Sequence, residues 1–235
     1  MQSGTRTCIL IPYSAARLSF SAKRAFPADL GTMRASTAIL LLLVLPGCRA
    51  SAPFRLPSEL PVLTRAAWGA AAPAGPMKRH VPRQITIHHT AGRHAPERTA
   101  ADKLRALQQF SQERSTLEGG RIREAWADVP YHFYIAVDGT IAEGRSLRFI
   151  GDSNTQYDLR GQIQIVLEGN FEEELPTASQ YDSLWKLTYV LARQWRVAPE
   201  HIFGHKDHTQ TACPGGALYQ WLPQMRQHLA EHLGS

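Results

Sequence analysis

The segment "IQIVLEG", residues 163–169, is an apolar run of the kind found in a strand that is buried on both faces. The earlier run "RQITIHH", residues 83–89, is rich in β-branched residues and predicts a strand that ends in two histidines. In "YHFYIAVDGTIAEGR", residues 131–145, two apolar runs flank the pair Asp138–Gly139, which indicates a β-hairpin. A strand buried on both faces requires further layers to cover it, so these segments predict a sheet with helices on its faces.

Three helical patterns follow or separate these runs. Residues 96–114 place Leu104, Leu107 and Phe110 on one predicted buried face, and the last helix is expected over residues 217–232. The helix between them begins after Thr177, a residue type that caps helix N-termini. The sequence therefore predicts an α/β fold with a central mixed β-sheet flanked by helices. The positions of the middle helix expected to face the core are Tyr181, Leu184, Trp185, Thr188, Leu191 and Trp195.

The first 62 residues have the features of a leader and a tether. Within residues 33–47, one basic residue precedes an apolar run at residues 38–45, a length typical of a secretory signal and below the roughly 20 residues of a membrane span. The following "LPGC" resembles the lipobox of bacterial lipoproteins, so we expect a lipid on Cys48 and export to a membrane facing the periplasm or cell wall. An ordinary cleaved signal peptide is the alternative.

The remaining boundaries follow from composition. Residues 1–32 carry no periodicity, and we interpret them as a doubtful or disordered leader, with Met33 as the natural start. Residues 48–62 are rich in Pro, Ser and Ala and predict a tether. Residues 63–235 are enough for one domain with a full core.

The charge of the chain does not favour binding to nucleic acid. The net charge of +6 is concentrated in the first 48 residues, where five basic residues oppose one aspartate. The rest of the chain has 21 basic and 19 acidic residues, and no Lys/Arg cluster that would follow a phosphate backbone. We therefore predict no nucleic-acid partner.

The cysteine count limits the role of the last cysteine. Three cysteines, Cys8, Cys48 and Cys213, are too few and too widely spaced for a disulfide framework. If the leader is removed, Cys213 has no disulfide partner within the domain. It is then a buried inert thiol, a nucleophile or a metal ligand.

The stretch "GHKDHTQTACPGG" combines His205 with Cys213, two residue types that zinc prefers. A third ligand is available from His88 or His89, but successive strand residues point to opposite faces, so only one of them can face the metal. Three protein ligands and an open fourth position are typical of hydrolytic zinc. Two alternatives remain: His208 as a fourth ligand of a structural site, or a hydrogen-bonded histidine and a buried cysteine without metal.

Five segments occur in an order that resembles a known family. They resemble the zinc amidases that include the peptidoglycan recognition proteins and the phage lysozyme-type N-acetylmuramoyl-L-alanine amidases, over about Leu63 to Leu233. The resemblance implies a groove across a zinc ion, Zn²⁺ as cofactor, and peptidoglycan or muropeptides as partner. The segments are "TRAAWGA", "ITIHHTAG", "VPYHFYIAVDGTIAEGR", "IQIVLEGNF" and "GHKDHTQTACPG".

The same resemblance implies a set of site residues. The metal ligands are His88, His205 and Cys213, and the presence of this cysteine favours an enzyme because inactive members commonly lack it. The catalytic residues are Tyr131 and Thr211, whose hydroxyls would orient the water and hydrogen-bond the developing oxyanion. With an ordinary pKa near 10, a tyrosine is a poor general base.

Three further residues lie within or beside these motifs. Glu168 is either a second candidate for the general base or a structural carboxylate that accepts hydrogen bonds. Related amidases carry their catalytic glutamate two positions earlier, where this chain has Val166. His89 and His132 are expected to pack against the site or to support its ligands.

Two departures from the family pattern concern the substrate side. Ser153 replaces a histidine that contacts substrate in many members. Residues 115–129 are extra material that either lies beside the groove and alters its width or forms a surface loop, and we favour the loop. The sequence predicts a zinc hydrolase that cleaves the amide bond between N-acetylmuramic acid and L-alanine. The alternative is a non-catalytic peptidoglycan-binding module.

Overall fold

The computed structural model describes residues 60–233. The predicted leader, the signal segment and Cys48 lie outside these residues. Within them, no helix combines the length and apolarity needed to cross a bilayer.

The described part of the chain forms a six-stranded mixed sheet with a separate two-stranded hairpin. Strands β2 and β7 are parallel neighbours, and β5 and β6 form the predicted antiparallel hairpin, with Gly139 at φ 86° in its turn. The six-stranded order is β1-β6-β5-β7-β2-β8, and the hairpin is β3-β4. The bounds are β1 Val62–Leu63, β2 Gln84–His89, β3 Ser115–Thr116, β4 Ile122–Arg123, β5 Phe133–Ile135, β6 Ile141–Glu143, β7 Gln162–Leu167 and β8 Ile202–Gly204.

Helices cover both faces of the sheet, which confirms the predicted fold class. Along β7, Ile165 packs in the cluster formed with α3 and α4, whereas Val166 packs with Trp68 and Leu104 on the opposite face. Burial on both faces is the reason that this strand reads as a continuous apolar run. The helices are α1 Arg65–Trp68, α2 Ala100–Gln112, α3 Ala178–Trp195 and α4 Gly216–Leu233.

The middle long helix begins where the sequence predicts. The side chain of Thr177 accepts a hydrogen bond from the backbone of Gln180, and the Gln180 side chain accepts one from the backbone of Thr177. This reciprocal capping box satisfies two backbone donors that the first turn leaves unpaired.

The buried face of α2 differs from the prediction at Phe110. This side chain is 47% exposed and lies under the guanidinium of Arg123, 4.4 Å from its ring centroid. The helix instead buries polar residues, among them Lys103 and Gln108, which find charged and hydrogen-bonding partners inside the fold. Apolar spacing alone could not indicate which polar residues would be paired in this way.

The extra segment at residues 115–129 is a folded hairpin packed at the end of α2. Buried Arg123 fixes it by donating to the carbonyls of Phe110, Ser111 and Glu113. Arg121 extends from the hairpin and donates to the carbonyl of Asn154 at 2.6 Å.

The fold also includes residues from the predicted tether. Leu60 is buried in the larger core cluster, and Val62 pairs with Ile141 of β6. Leu60 and Val62 therefore pack as part of the domain among the described residues.

Candidate metal centre

The parallel pairing of β2 with β8 brings two predicted ligands together. Ile87 pairs with Gly204, so His88 and His205, the next residue in each segment, lie side by side at the same end of the sheet. Their ring centroids are 4.6 Å apart, and both side chains are buried.

Cys213 completes this group. The Cys213 carbonyl accepts a hydrogen bond from the backbone of Lys206, which closes the loop between the second and third candidate ligands. The backbone N–H of His89 donates to Cys213 Sγ at 3.4 Å. One candidate ligand atom from each of His88, His205 and Cys213 lies within 4.8 Å of the others.

The separation of the ligand atoms fits a small tetrahedral metal ion. Cys213 Sγ lies 3.6 Å from His88 Nδ1. Two ligands bound tetrahedrally to one zinc ion, at about 2.3 Å for sulfur and about 2.0 Å for nitrogen, would lie about 3.5 Å apart. The group therefore has the donor types and the spacing of a zinc site.

Burial disfavours the charged forms of His88 and Cys213. Burial lowers the pKa of His88 well below its usual value, and the neighbouring histidines lower it further, so its imidazole is neutral with a free lone pair. Burial also raises the pKa of the Cys213 thiol to about 12. A thiolate at neutral pH would then need a bound cation to stabilise it, as metal coordination does.

His208 does not belong to the group, contrary to the alternative of a four-ligand structural site. Its Nε2 lies 3.1 Å from the hydroxyl of Thr86, and its ring stacks on Tyr157 at an angle of 4°. Among the described residues, the ligand group near His88 contains two histidines and one cysteine. Three protein ligands are the number typical of a hydrolytic zinc site, in which water or substrate takes the fourth position.

The rings of His89 and His132 hydrogen-bond to the backbone of neighbouring segments. Nδ1 of His89 accepts a hydrogen bond from the backbone of Phe171 at 3.2 Å. Nδ1 of His132 accepts from the backbone of Gln164, and its Nε2 lies 2.9 Å from the carbonyl of Phe149. The strand alternation predicted for His88 and His89 is confirmed.

Tyr131 lies against the candidate ligands. Its ring centroid is 5.2 Å from that of His88. Burial, with smaller contributions from Cys213 and Tyr157, raises the pKa of its hydroxyl well above the usual value. The hydroxyl therefore stays protonated at neutral pH and is suited to donate a hydrogen bond.

Thr211 lies in the turn that leads to Cys213. Its hydroxyl accepts a hydrogen bond from the backbone N–H of Cys213 at 3.2 Å, and the side chain is partly exposed. This contact orients the turn and keeps the hydroxyl close to the candidate ligand.

Glu168 is fully occupied by structural contacts. Its carboxylate accepts hydrogen bonds from the Lys103 ammonium at 2.7 and 2.8 Å, and from the backbone N–H groups of Ala95 and Val137. This buried ion pair ties α2 and two loops to the end of β7. These contacts favour the structural interpretation of Glu168 over a role as general base.

The structure also brings Thr155 and Tyr157 to the site. The Thr155 hydroxyl lies 2.7 Å from Nε2 of His205, and the Tyr157 ring centroid is 5.0 Å from that of His205. Sequence reasoning missed both residues, although they follow Ser153 in the loop identified as departing from the family pattern. An isolated threonine in an irregular loop has no periodicity that would indicate its contact.

A second group of possible ligands lies on the surface of α4. His228, Glu231 and His232 are exposed, and their ligand atoms also lie within 4.8 Å of one another. The His228 and His232 rings both pack near Trp185, at 4.7 and 5.5 Å between centroids.

The fold and the buried group define an α/β domain with a candidate single-metal centre at the ends of parallel strands. The family model for N-acetylmuramoyl-L-alanine amidase (Amidase_2) matches residues 78–216, more than half of the chain. The chain belongs to this family.

Proteins with similar sequences include recognition proteins and amidases. Peptidoglycan-recognition protein SD of Drosophila simulans is 29% identical over 174 residues, which cover 71% of this chain and 86% of that protein. The N-acetylmuramoyl-L-alanine amidase of Sus scrofa is 31% identical over 67% of this chain, but the match covers 26% of that longer protein.

Solved structures with a similar fold also include both an amidase and a recognition protein. The amidase LysC from Clostridium intestinale URNW matches with a TM-score of 0.53 and 28% identity, over 68% of this chain and 93% of that one. Peptidoglycan recognition protein-LE in complex with tracheal cytotoxin, a monomeric diaminopimelic acid-type peptidoglycan, matches with a TM-score of 0.58 and 26% identity, over 69% of this chain and 92% of that one.

Proposed function

We propose that this protein is a zinc hydrolase that cleaves the amide bond between N-acetylmuramic acid and L-alanine in peptidoglycan or its fragments. The observation that carries the proposal is the convergence of His88, His205 and Cys213 beside Tyr131. Membership of the amidase family supports the reaction class. The tracheal cytotoxin bound to a relative of similar fold supports the substrate class.

The residues around the centre have separate roles in this proposal. When bound, zinc polarises the scissile carbonyl and activates water as the nucleophile. Tyr131 donates a hydrogen bond to the oxygen on which negative charge develops, because its buried hydroxyl keeps its proton. Thr211 orients the water from the Cys213 turn. The His89 N–H donates to Cys213 Sγ and would stabilise the thiolate with which Cys213 would hold the ion.

A non-catalytic peptidoglycan-binding module is the second candidate function. The relatives named as recognition proteins favour it, since recognition alone requires no turnover. The complete His-His-Cys group favours the enzyme, because a binding module does not need an open metal position.

Incubation of the zinc-loaded full chain with purified muropeptides, followed by mass analysis, distinguishes the two functions. An amidase releases peptides whose first residue is L-alanine. Cys213→Ser is the matched variant, because it replaces the thiolate with a weaker neutral ligand and should lose both zinc and turnover. A zinc-loaded wild-type protein that binds muropeptide and releases no peptide would establish the binding module.

We also propose that the protein is exported and anchored by a lipid on Cys48, facing the periplasm or cell wall. The "LPGC" sequence after the apolar run supports this location. We expect the wild-type protein to sediment with membranes and Cys48→Ala to become soluble or to remain unprocessed. A mature N-terminus downstream of Cys48, determined by mass spectrometry and free of lipid, would contradict the anchor.

A further inference from the structure

We propose that Thr155 is a positioning residue for His205. Its hydroxyl accepts the Nε2–H of that imidazole and so holds the ring as the tautomer whose Nδ1 carries the lone pair, which would then be available to a metal. The inference rests on the proposed zinc function.

The contact between the two side chains is close and supported from behind. Thr155 Oγ1 lies 2.7 Å from His205 Nε2 and 2.9 Å from Ser153 Oγ. The backbone N–H of Thr155 also donates to Ser153 Oγ at 3.1 Å. The hydroxyl therefore lies between an imidazole nitrogen and a second hydroxyl.

The direction that we propose for these hydrogen bonds sets the tautomer of His205. A threonine hydroxyl has one proton, and if that proton goes to Ser153, the Thr155 oxygen accepts from His205 Nε2–H. The Tyr157 hydroxyl continues the chain, because its oxygen interacts with Ser153 and accepts from Gln164 Nε2 at 3.1 Å. With Nε2 protonated, Nδ1 of His205 carries the lone pair that binds a metal.

The loop that carries Thr155 is held at several points. Asp152 forms an ion pair with buried Arg145, and Arg121 of the β3–β4 hairpin donates to the carbonyl of Asn154 at 2.6 Å. The Tyr157 ring packs on both His205 and His208. These contacts fix the position of the hydroxyl before a metal binds, as expected of a group that orients a ligand.

The loop also gives Ser153 a role in this protein. Many members of the family carry a histidine at the position of Ser153. In this protein the Ser153 hydroxyl forms a hydrogen bond with the Thr155 hydroxyl. The sequence departure and the Thr155 contact therefore belong to one hydrogen-bonded chain, which ends on His205.

The decisive measurement is the zinc affinity of the full chain, determined by competition with a chromophoric chelator. Thr155→Val keeps the shape of the side chain and removes the hydroxyl, and Thr155→Ser restores the hydroxyl. We expect Thr155→Val to bind zinc about 10- to 100-fold more weakly and Thr155→Ser to recover most of that loss. The matched control is Thr188→Val on α3, where the buried hydroxyl has no hydrogen-bond partner among the described residues.

Two details keep this measurement specific. All variants carry His228→Ala and His232→Ala, so that the exposed group on α4 does not add weak zinc binding to the titration. Ser153→Ala, which removes the acceptor of the Thr155 proton without touching His205, is expected to weaken zinc binding less than Thr155→Val.

A spectroscopic readout separates positioning from general stability. In zinc-loaded wild-type protein labelled with ¹⁵N-histidine, NMR should show the His205 Nε2–H proton in slow exchange with solvent. In Thr155→Val this proton should exchange rapidly, whereas in Thr155→Ser it should remain slow.

The outcomes distinguish this inference from the function on which it rests. Equal zinc affinity in wild type and Thr155→Val, or failure of Thr155→Ser to restore affinity, would overturn the role of Thr155 alone. A wild-type chain without zinc affinity would overturn the proposed function and this inference together.

Discussion

The two groups of possible metal ligands each contain two histidines, and they differ in their third residue and in burial. His88, His205 and Cys213 come from two strands and a distant turn, and the imidazoles are buried. His228, Glu231 and His232 come from successive turns of one helix and are exposed. In each group, one donor atom per residue lies within 4.8 Å of the other two.

The surroundings decide what each group can do. The buried group is held by hydrogen bonds to Cys213 Sγ and to His205 Nε2, and its protonation states shift with burial. The exposed group lies in water, where hydration of the side chains competes with a metal. Proximity of ligand atoms is therefore insufficient for a functional centre, and supporting contacts supply the rest.

The largest expected effect is the loss of zinc from the buried group. Cys213→Ala should reduce zinc affinity by more than about 100-fold, because removal of a ligand costs more than the 10- to 100-fold lost with a supporting contact. His232→Ala should leave the tightly bound zinc in place. Metal analysis after dialysis against a chelator measures both.

His208→Ala is the control for the composition of the buried group. It should keep zinc, because His208 contacts Thr86 and Tyr157 instead of the ligand group. If Cys213→Ala retained tightly bound zinc and His232→Ala lost it, the exposed group on α4 would be the metal centre instead of the buried group.

A smaller effect is expected on turnover when the metal is retained. Tyr131→Phe should keep zinc and muropeptide binding and turn over about 10- to 1,000-fold more slowly, since removal of one oxyanion donor has an effect of this order. Tyr189→Phe on α3 is the matched change away from the buried group and should turn over normally. Equal rates for Tyr131→Phe and wild type would exclude the proposed role of Tyr131 and leave the metal centre intact.

The smallest effect concerns stability of the zinc-free protein below neutral pH. Burial, with repulsion from His208 and His89, lowers the pKa of His205 from 6.5 to about 4. Because the unfolded chain then binds a proton that the folded chain does not, stability is complete above pH 6.5 and falls as the pH drops towards 4. Because solvent screens part of this effect, the loss from His205 at pH 5 is at most about 2 kcal/mol.

Urea unfolding at pH 7 and pH 5 measures this difference. His205→Asn should lose less stability than wild type over the same interval, since its side chain does not titrate. If His205→Asn showed the same difference in stability between pH 7 and pH 5 as wild type, His205 would take up its proton as readily in the folded protein as in the unfolded chain.

The sequence was sufficient to predict the fold class and most elements, and its resemblance to the family indicated His88, His205 and Cys213, which lie together in the structure. Apolar periodicity indicates β2, β7, α3 and α4, because burial of one or both faces imposes the spacing of apolar residues directly. Periodicity failed at Phe110, since it does not distinguish an apolar residue in the core from one that packs under Arg123 at the surface. The sequence also predicts that His88 and His89 point to opposite faces of the sheet, because side chains alternate along a strand.

The tertiary structure alone decided how residues from distant segments combine. The register of β2 against β8 places His205 beside His88, the ion pair with Lys103 occupies Glu168, and the loop after Gly151 brings Thr155 to His205. None of these contacts leaves a local pattern, because each depends on two segments that are 50 or more residues apart along the chain. Local sequence determines the strands and helices through short-range spacing, whereas the packing of the whole domain determines which polar groups meet.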